Sequence, residues 1–303
     1  MLDLERVPSL DDATLVIGFR GWMDGGEVST GTVEYLIDTF DAELFGEIHP
    51  DGYYVYGVPG ALQIAALFRP HAEIQDGRVT GYQEPENEFY VSESANMVMF
   101  IGDEPHVSWH QYAEQLFRVV EQCNVTRICF VGSVTGLVPH TREPIFYSSF
   151  SNEDLRPLVT AAGIFPTHYE GPSSLGTFLI RAAEKRGIAM STLVAGIPPY
   201  VQGRNDHCIE SLMGKLQILI EQAIDTDELA ARRAEFDRGL EEIVAGRPEL
   251  REQIKKLEEM YDQQVQAISE DSAEREEEDA GPRPSDVEDL RSWFDKQGFS
   301  FDN

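Results

Sequence analysis

Short apolar runs alternate with stretches of helical periodicity along the first two thirds of the chain. The runs at 14–19, 96–102, 127–132 and 190–196 are continuous, as expected for strands that are covered on both faces. Apolar residues recur at helical spacing between them, and Ser108 is the predicted N-cap of one helix. Strands that alternate with helices predict an α/β three-layer sandwich, with a largely parallel sheet between two helical layers.

Two regions interrupt this alternation. Residues 42–60 are rich in tyrosine and glycine, and residues 68–90 contain Arg-Pro, Asp-Gly and Glu-Pro dipeptides that are typical of turns. We expect a hairpin or an added flap there. Residues 61–68 fit a short helix or a strand, and periodicity does not decide between the two.

The pattern changes at residue 225. Two amphipathic stripes follow, at 229–243 and 250–268, and the Gly-Arg-Pro sequence at 246–248 separates them. This arrangement predicts two helices joined by a tight turn. The second stripe is short for an independent coiled coil, so it should pack on the first helix, on the main domain or on another subunit.

The chain therefore divides into four predicted parts. An α/β domain covers 1–224, and a helical hairpin covers 225–269. The acidic stretch 270–285 is predicted to be a solvated linker. The apolar pattern in 286–303 predicts a short helix that cannot fold alone, so we expect it to dock as a tail.

The charge of the chain limits its partners. The 303 residues include 54 acidic and 24 basic side chains, a net charge of -30. Such a field repels phosphate backbones and anionic lipid, which argues against a nucleic-acid or membrane partner. No apolar run approaches the roughly 20 residues of a membrane span, and the first residues lack a signal-peptide pattern. We therefore predict a cytoplasmic protein.

Four groups of residues follow the predicted strands, and ligands of parallel α/β sheets bind at that edge. The first group, after the first strand, contains Arg20, Trp22, Asp24, Gly25 and Gly26. The two adjacent glycines would let backbone amides approach an anion closely. The stretch matches neither the dinucleotide-binding fingerprint nor the phosphate loop. A tight turn before the next helix is the alternative.

The second group follows the strand at 127–132. Gly136 and Pro139 fix a loop that presents His140, Thr141 and Arg142, which supply a proton carrier, a hydroxyl and a guanidinium. Such a set could bind an anion or polarise a sugar. The alternative is that Arg142 pairs with one of the many carboxylates of this chain.

The third and fourth groups come later in the chain. Pro172, Ser173 and Ser174 indicate a helix start whose free amides are either capped by a serine or open to an anion. Glu170 could act as a general acid or base if it were buried. A rigid turn at 196–202 could close the wall of a pocket.

No complete catalytic set emerges from these groups. The candidates for chemistry are Asp24, His140, Arg142 and Glu170. His106 lies one helical turn before a second histidine, but no third metal ligand is evident, so neither a metal nor a cofactor is predicted. The nucleophile elbow of serine hydrolases is absent. The three cysteines contain no Cys-x-x-Cys pair, which argues against a disulfide framework or a zinc ribbon, and Cys129 is predicted to be a core residue.

Four motifs in order resemble the PAC2 family, and more closely its actinobacterial branch with an appended helical hairpin. They are Gly-Phe-Arg-Gly-Trp-Met-Asp-Gly-Gly at 18–26, Val-Pro-His-Thr-Arg at 138–142, Tyr-Glu-Gly-Pro-Ser-Ser-Leu-Gly at 169–176 and Pro-Pro-Tyr-Val at 198–201. The resemblance implies a fold similar to the nucleoside phosphorylase and hydrolase architecture. It also implies a homo-oligomer, with a trimer as the working expectation.

The resemblance leaves two functions open. Eukaryotic relatives are proteasome assembly chaperones and archaeal ones are chaperone-like, which implies a non-enzymatic assembly or interaction protein that presents its hairpin and tail to partners. The alternative is a nucleosidase- or phosphorylase-like enzyme. Its anion contacts, carried over from the fold by analogy, would be Gly25, Gly26, Arg142, Ser173 and Ser174.

Overall fold

The computed structural model describes residues 1–57, 68–201 and 203–279, with side chains to residue 268. Its core is a nine-stranded mixed sheet, in the spatial order β1-β3-β6-β7-β2-β8-β11-β9-β10, and a separate ribbon contains β4 and β5. The strands are β1 (Leu2–Leu4), β2 (Ala13–Arg20), β3 (Glu43–Ile48), β4 (His71–Gln75), β5 (Arg78–Gln83), β6 (Asn87–Ser92), β7 (Met97–Asp103), β8 (Val125–Thr135), β9 (Phe146–Ser148), β10 (Phe165–Pro166) and β11 (Ala189–Ile197).

Seven α-helices belong to the described part of the chain. They are α1 (Val28–Thr39), α2 (Trp109–Gln122), α3 (Arg156–Ala161), α4 (Leu175–Glu184), α5 (Asp206–Leu219), α6 (Asp227–Ala245) and α7 (Pro248–Asp279). Two short 3₁₀ turns, Gly25–Glu27 and Glu153–Leu155, precede α1 and α3. The predicted α/β class is confirmed.

The sheet is parallel only at its centre. Strands β7, β2, β8 and β11 run in one direction, and Ile17 lies between Phe100 and Phe130 in the register. By contrast, β1, β3 and β6 add antiparallel strands on one side, and β9 pairs antiparallel with β11 on the other. The expectation of a largely parallel sheet is corrected at both edges, where the strands are short or carry polar residues and lack a continuous apolar run.

Two apolar cores lie on opposite faces of this sheet. Phe19, Phe100 and Phe130 point to one face, with ring centroids of Phe19 5.3 Å from Phe100 and 6.0 Å from Phe130, and they pack with residues of α2 and α4. Val16 and Val131 point to the other face and pack with residues of α1 and α5. Adjacent residues of one strand thus enter different cores, as the alternation of side chains in a strand requires.

Strand β2 and helix α1 approach each other so closely that one position has room only for glycine. A Cβ on Gly18 would lie 2.7 Å from the carbonyl oxygen of Ser29. The buried Ser29 hydroxyl donates to the carbonyl of Val131 at 2.6 Å and accepts from the amide of Phe19 at 3.0 Å. Ser29 therefore joins α1 to two neighbouring strands.

The predicted hairpin in 68–90 is present as the ribbon of β4 and β5. Asp76 and Gly77 both have positive φ values, 50° and 78°, as the tight turn between two antiparallel strands requires. Ile74, Val79 and Tyr82 of the ribbon are all more than half exposed. Residues 61–67 of the segment that fits either a short helix or a strand lie outside the described residues.

Ser108 stands at the N-cap position of α2, but it does not cap the helix. Its φ is 62°, and its side chain makes no capping hydrogen bond. The boundary is as predicted, whereas the capping role is corrected, because capping serines typically have an extended backbone and Ser108 has a left-handed one.

The chain forms two compact units, residues 1–251 and 252–303. Helix α6 belongs to the first unit, where Leu229 is fully buried and Asp237 Oδ1 lies 2.9 Å from His207 Nδ1 of α5. The first helix of the predicted hairpin is therefore attached to the α/β body.

Helix α7 is longer than its apolar stripe predicts. It continues to Asp279, so residues 270–279 of the predicted linker are helical. Residues 280–285 and the predicted tail at 286–303 lie outside the described residues. None of the helices in the described part of the chain has both the length and the apolar character that crossing a membrane requires.

Candidate functional site

The four parallel strands end at one edge of the sheet, and the loop after β2 crosses this edge. The guanidinium of Arg20 lies 3.6 Å from the carboxylate of Asp103, at the end of β7. The amide of Trp22 donates to Oε2 of Glu104 at 3.1 Å. Trp22 itself is 59% exposed. The loop is thus fixed to the neighbouring strand while it presents its indole to solvent.

Asp24 is the most perturbed acid of the loop. Its Oδ1 accepts from the amide of Thr30 at 3.0 Å and its Oδ2 from the hydroxyl of Thr30 at 2.8 Å. Burial raises the pKa of Asp24 from 3.8 to about 6, although the hydrogen bonds from Thr30 oppose this shift. The carboxylate therefore connects the loop to the first turn of α1.

The two adjacent glycines are packed against other parts of the chain. The carbonyl of Gly25 accepts from the Ser133 hydroxyl at 2.6 Å, and the carbonyl of Gly26 accepts from the amide of Asn205 at 2.8 Å. A Cβ on Gly25 would lie 2.6 Å from the side chain of Ile197, and Gly26 has a φ of 65°. Close packing and a left-handed turn account for both residues, which is the alternative that the sequence left open.

The loop after β8 is organised by a tyrosine from the turn after β11. His140 is buried, and the hydroxyl of Tyr200 lies 2.9 Å from its amide and 2.7 Å from its Nδ1. Thr141 is exposed and Arg142 is half-buried, with one guanidinium nitrogen 3.4 Å from the carbonyl of Thr141. Tyr200 thus supports this loop from the turn after β11.

A charged cluster that sequence reasoning missed begins directly after Arg142. Glu143 accepts a short hydrogen bond from Arg233 of α6 and a second one from the Ser211 hydroxyl at 2.7 Å. Burial opposes ionisation, but these hydrogen bonds hold the pKa of Glu143 below its ordinary value. Arg233 also donates to Glu210 at 2.7 Å. The cluster attaches α6 to the body, and its members are too far apart in sequence to predict.

The serines before α4 have a structural role. Ser174 accepts a hydrogen bond from the amide of Thr177 at 3.1 Å and is therefore the N-cap of α4. The Ser173 hydroxyl lies 3.2 Å from the carbonyl of Ser174. Glu170 is exposed, so it lacks the burial that a role as a general acid would need.

A cavity of about 510 Å³ opens beside these segments, and every residue that lines it is uncharged. We call it the neutral cavity. Seven of the lining residues are apolar or aromatic, among them Trp22, Val134 and Tyr169, and the other seven are serines and threonines. Trp22 of the first predicted group and Pro172 and Ser174 of the third line this cavity, but Asp24, His140, Arg142 and Glu170 do not.

A second cavity of about 660 Å³ lies on the other side of Trp22, at the ends of β2 and β7. We call it the acidic cavity. Four carboxylates line it, together with two guanidinium groups and several aromatic rings. Arg20 and Trp22 of the first predicted group belong to this lining. Asp24, Arg142 and Glu170 line neither of these two cavities.

The thiols and histidines of the described residues do not form a reactive centre. Burial raises the pKa of Cys123 to about 11 and that of Cys129 to about 12, so both remain thiols at neutral pH. No three His, Cys, Asp or Glu side chains of the described chain come together as a metal site would need. His106 Nδ1 instead accepts from the amide of Val55 at 3.1 Å.

The PAC2 family model matches residues 18–244, so the chain belongs to the PAC2 family, and the predicted membership is confirmed. No curated protein matches the chain.

Solved structures with the same fold include a proteasome-assembly chaperone homologue of Mycobacterium tuberculosis (24% identity, TM-score 0.67, covering 77% of this chain and 95% of that one). A second protein of the same organism, of unknown function, aligns with TM-score 0.78 at 21% identity and covers 90% of this chain and 92% of its own. An archaeal proteasome activator from Pyrococcus furiosus aligns with TM-score 0.60 at 16% identity, covering 80% and 98%. At these identities the likeness is one of fold.

Proposed function

We propose that this protein is a non-enzymatic, chaperone-like assembly or interaction protein, which binds a protein partner at the rim of the neutral cavity. One observation carries the proposal. Trp22, Val134 and Tyr169 line this cavity and are 59%, 37% and 63% exposed. Large apolar side chains that surround a concavity are typical of sites that bind other proteins.

The chemistry of the cavity supports binding over catalysis. General acid–base catalysis most often uses a histidine or a carboxylate within hydrogen-bonding reach of the substrate. The lining of the neutral cavity contains no carboxylate, histidine, amine or thiol, and its titratable groups are the phenols of Tyr147 and Tyr169. Asp24 is engaged by Thr30. Nucleosidase- or phosphorylase-like activity, the alternative, therefore has no observation in its favour.

Membership in the PAC2 family supports the same proposal. One relative of the same fold is a proteasome-assembly chaperone homologue and another is an archaeal proteasome activator. By analogy, the partner would be a subunit of a larger protein assembly. We further propose a cytoplasmic homo-oligomer, with a trimer as the working expectation.

The finer features of the fold belong to this proposal. The helix–sheet–helix layering resembles the nucleoside phosphorylase and hydrolase architecture, used here as a binding scaffold. We also propose that the chain presents a helical hairpin at 225–269 and a tail at 286–303 to partners or sister subunits, in addition to an α/β domain at 1–224. The binding of an anion remains a prediction, which a titration with inorganic phosphate would test. The predicted contacts are Arg20, Gly25, Gly26, Thr141, Arg142, Ser173 and Ser174.

Photo-crosslinking tests the proposed surface. A benzophenone amino acid in place of Tyr169 should form an adduct with a partner chain in living cells, because this side chain stands at the rim of the cavity. The same substitution at Tyr82, which is 56% exposed on the ribbon, is the matched control. Equal adducts at both positions, or none at Tyr169, would contradict the proposal. So would phosphorolysis or hydrolysis of nucleosides by the purified protein.

A further inference from the structure

We propose that the acidic cavity is a binding site for an organic cation that carries a guanidinium or an alkylammonium group. This site is separate from the surface proposed above, because Trp22 is the one residue that lines both cavities. The cation can be a free small molecule or the side chain of an arginine or lysine, and both present the same charged group.

The charge of the lining favours a cation. Four carboxylates and two guanidinium groups line the cavity, so its net charge is -2 when the histidines are neutral. They are Glu84, Glu86, Asp103, Glu104, Arg20 and Arg69. Arg20 lies 3.6 Å from Asp103 and offsets that carboxylate. The side chains of Glu84 and Glu86 make no hydrogen bond or ion pair among the described residues. They can therefore accept from a ligand.

The remaining walls are aromatic, which distinguishes this cavity from a patch of surface acids. Trp22, Tyr54, Tyr56 and Trp109 line it. The face of an aromatic ring attracts a cation, and tryptophan does so most strongly. Carboxylates together with aromatic faces are the combination that recognises guanidinium and alkylammonium groups, whereas a phosphate would meet repulsion from both.

The walls are held in place before any ligand arrives. The Tyr54 hydroxyl donates to the carbonyl of Asp103 at 2.7 Å, and Nε1 of Trp109 donates to the carbonyl of Pro105 at 2.7 Å. The amide of Glu86 donates to Oδ2 of Asp103 at 3.0 Å. Since these groups need little reordering, a ligand would bind without a large entropic cost.

The size of the cavity also favours an organic ligand over a bare metal ion. Its volume of about 660 Å³ lies within the usual range of small-molecule sites. Among the described residues, no three His, Cys, Asp or Glu side chains stand close enough together to hold a metal ion. An extended alkyl chain with a charged end would fill the space between the tyrosines and the glutamates.

Calorimetric titration of the purified full-length protein tests the proposal. The probes are agmatine, which carries guanidinium and ammonium groups on an alkyl chain, and a blocked Gly-Arg-Gly peptide; butylurea is the uncharged counterpart. We expect saturable binding of agmatine or of the peptide, and none of butylurea. Binding of the peptide alone would identify a protein side chain as the source of the cation.

A pair of double variants separates specific binding from the general attraction of an acidic protein. Glu84→Gln with Glu86→Gln should weaken cation binding at least about tenfold, because charge-assisted hydrogen bonds are lost. Glu5→Gln with Glu121→Gln removes the same charge from exposed positions outside the cavity, and it should change the affinity less than about twofold. Unchanged circular dichroism would show that both variants are folded.

Three results would overturn the proposal. They are equal weakening in the two double variants, equal binding of butylurea and agmatine, and no binding of either cationic probe with a dissociation constant below about 1 mM.

Discussion

The two cavities on either side of Trp22 differ in chemistry although they share this wall. The neutral cavity is lined by hydroxyls and apolar groups, and the acidic cavity by carboxylates and aromatic rings. The difference follows from the sheet. On the neutral side the strands β8 and β11 end parallel to β2, and on the acidic side the antiparallel β6 begins beside the end of β7.

The loop after β2 forms a partition between the two cavities, because it contributes lining residues to both. Arg20, Gly21 and Trp22 face the acidic cavity, whereas Trp22 and Met23 face the neutral one. A single loop therefore serves two surfaces of different chemistry. Changes to its support, its buried charge and its exposed indole should affect the two cavities to different degrees.

The largest loss of stability is expected from a substitution at the contact of β2 with α1, which supports the partition. Gly18→Ala would place a Cβ 2.7 Å from the carbonyl oxygen of Ser29 and from Cγ2 of Val33. We expect a loss of about 3 kcal/mol in the free energy of unfolding, because the backbone of α1 must move. Urea denaturation measures it. Both cavities should lose binding together, since β2 supports the whole loop.

The matched control is Gly214→Ala in α5. No atom lies within 4 Å of the Cβ that this change would add, so we expect stabilisation by about 0.5–1 kcal/mol from the higher helix propensity of alanine. Equal unfolding free energies of the two variants would show that β2 and α1 are not in the close contact described here.

A smaller effect on stability is expected from Asp24, the buried acid of the partition. The pKa of Asp24 is raised by burial to about 6, so the folded protein retains a proton that the unfolded chain has released between about pH 4 and pH 6. The stability from this acid is therefore present at low pH and lost as the pH rises through 6. Wild type should lose about 1 kcal/mol of unfolding free energy between pH 5 and pH 7.5 that Asp24→Asn, whose amide does not titrate, retains.

Urea denaturation at several pH values measures this difference. Glu121→Gln, an exposed acid with the same change of charge, is the control and should follow wild type. A pH-independent difference between wild type and Asp24→Asn would refute the assignment of a raised pKa to Asp24.

The smallest change in stability is expected from the indole itself. Trp22 is 59% exposed, so Trp22→Ala should alter the free energy of unfolding by less than about 0.5 kcal/mol. It should nevertheless weaken agmatine binding about three- to tenfold and reduce crosslinking from position 169. If only one of these two readouts changes, Trp22 is not the shared wall of both cavities.

The centre of the fold could be predicted from the sequence because its strands are buried on both faces. β2, β7, β8 and β11 appear as continuous apolar runs within three residues of their observed ends. The edge strands β3 and β6 and the helix α5 were not predicted. The edge strands mix exposed and buried residues over short lengths, and their place depends on tertiary pairing that periodicity does not record.

The candidate site could be predicted in position but not in chemistry. The rule that ligands bind beyond the carboxyl ends of parallel strands led to the loop after β2 and to the loop after β8. The same rule missed Glu84 and Glu86, because β6 is antiparallel and reaches this edge with its amino end. The contact of His140 with Tyr200 joins residues sixty positions apart, which no local pattern reveals.

The ribbon of β4 and β5 has a consequence for how the molecule unfolds. All of its residues except Gly81 are exposed, and its strands pair only with each other. A two-stranded ribbon that buries so little is marginally stable on its own. Its amides should therefore exchange with solvent through local opening, at rates set by the ribbon alone, while the amides of β2 and β8 exchange only when the whole domain unfolds.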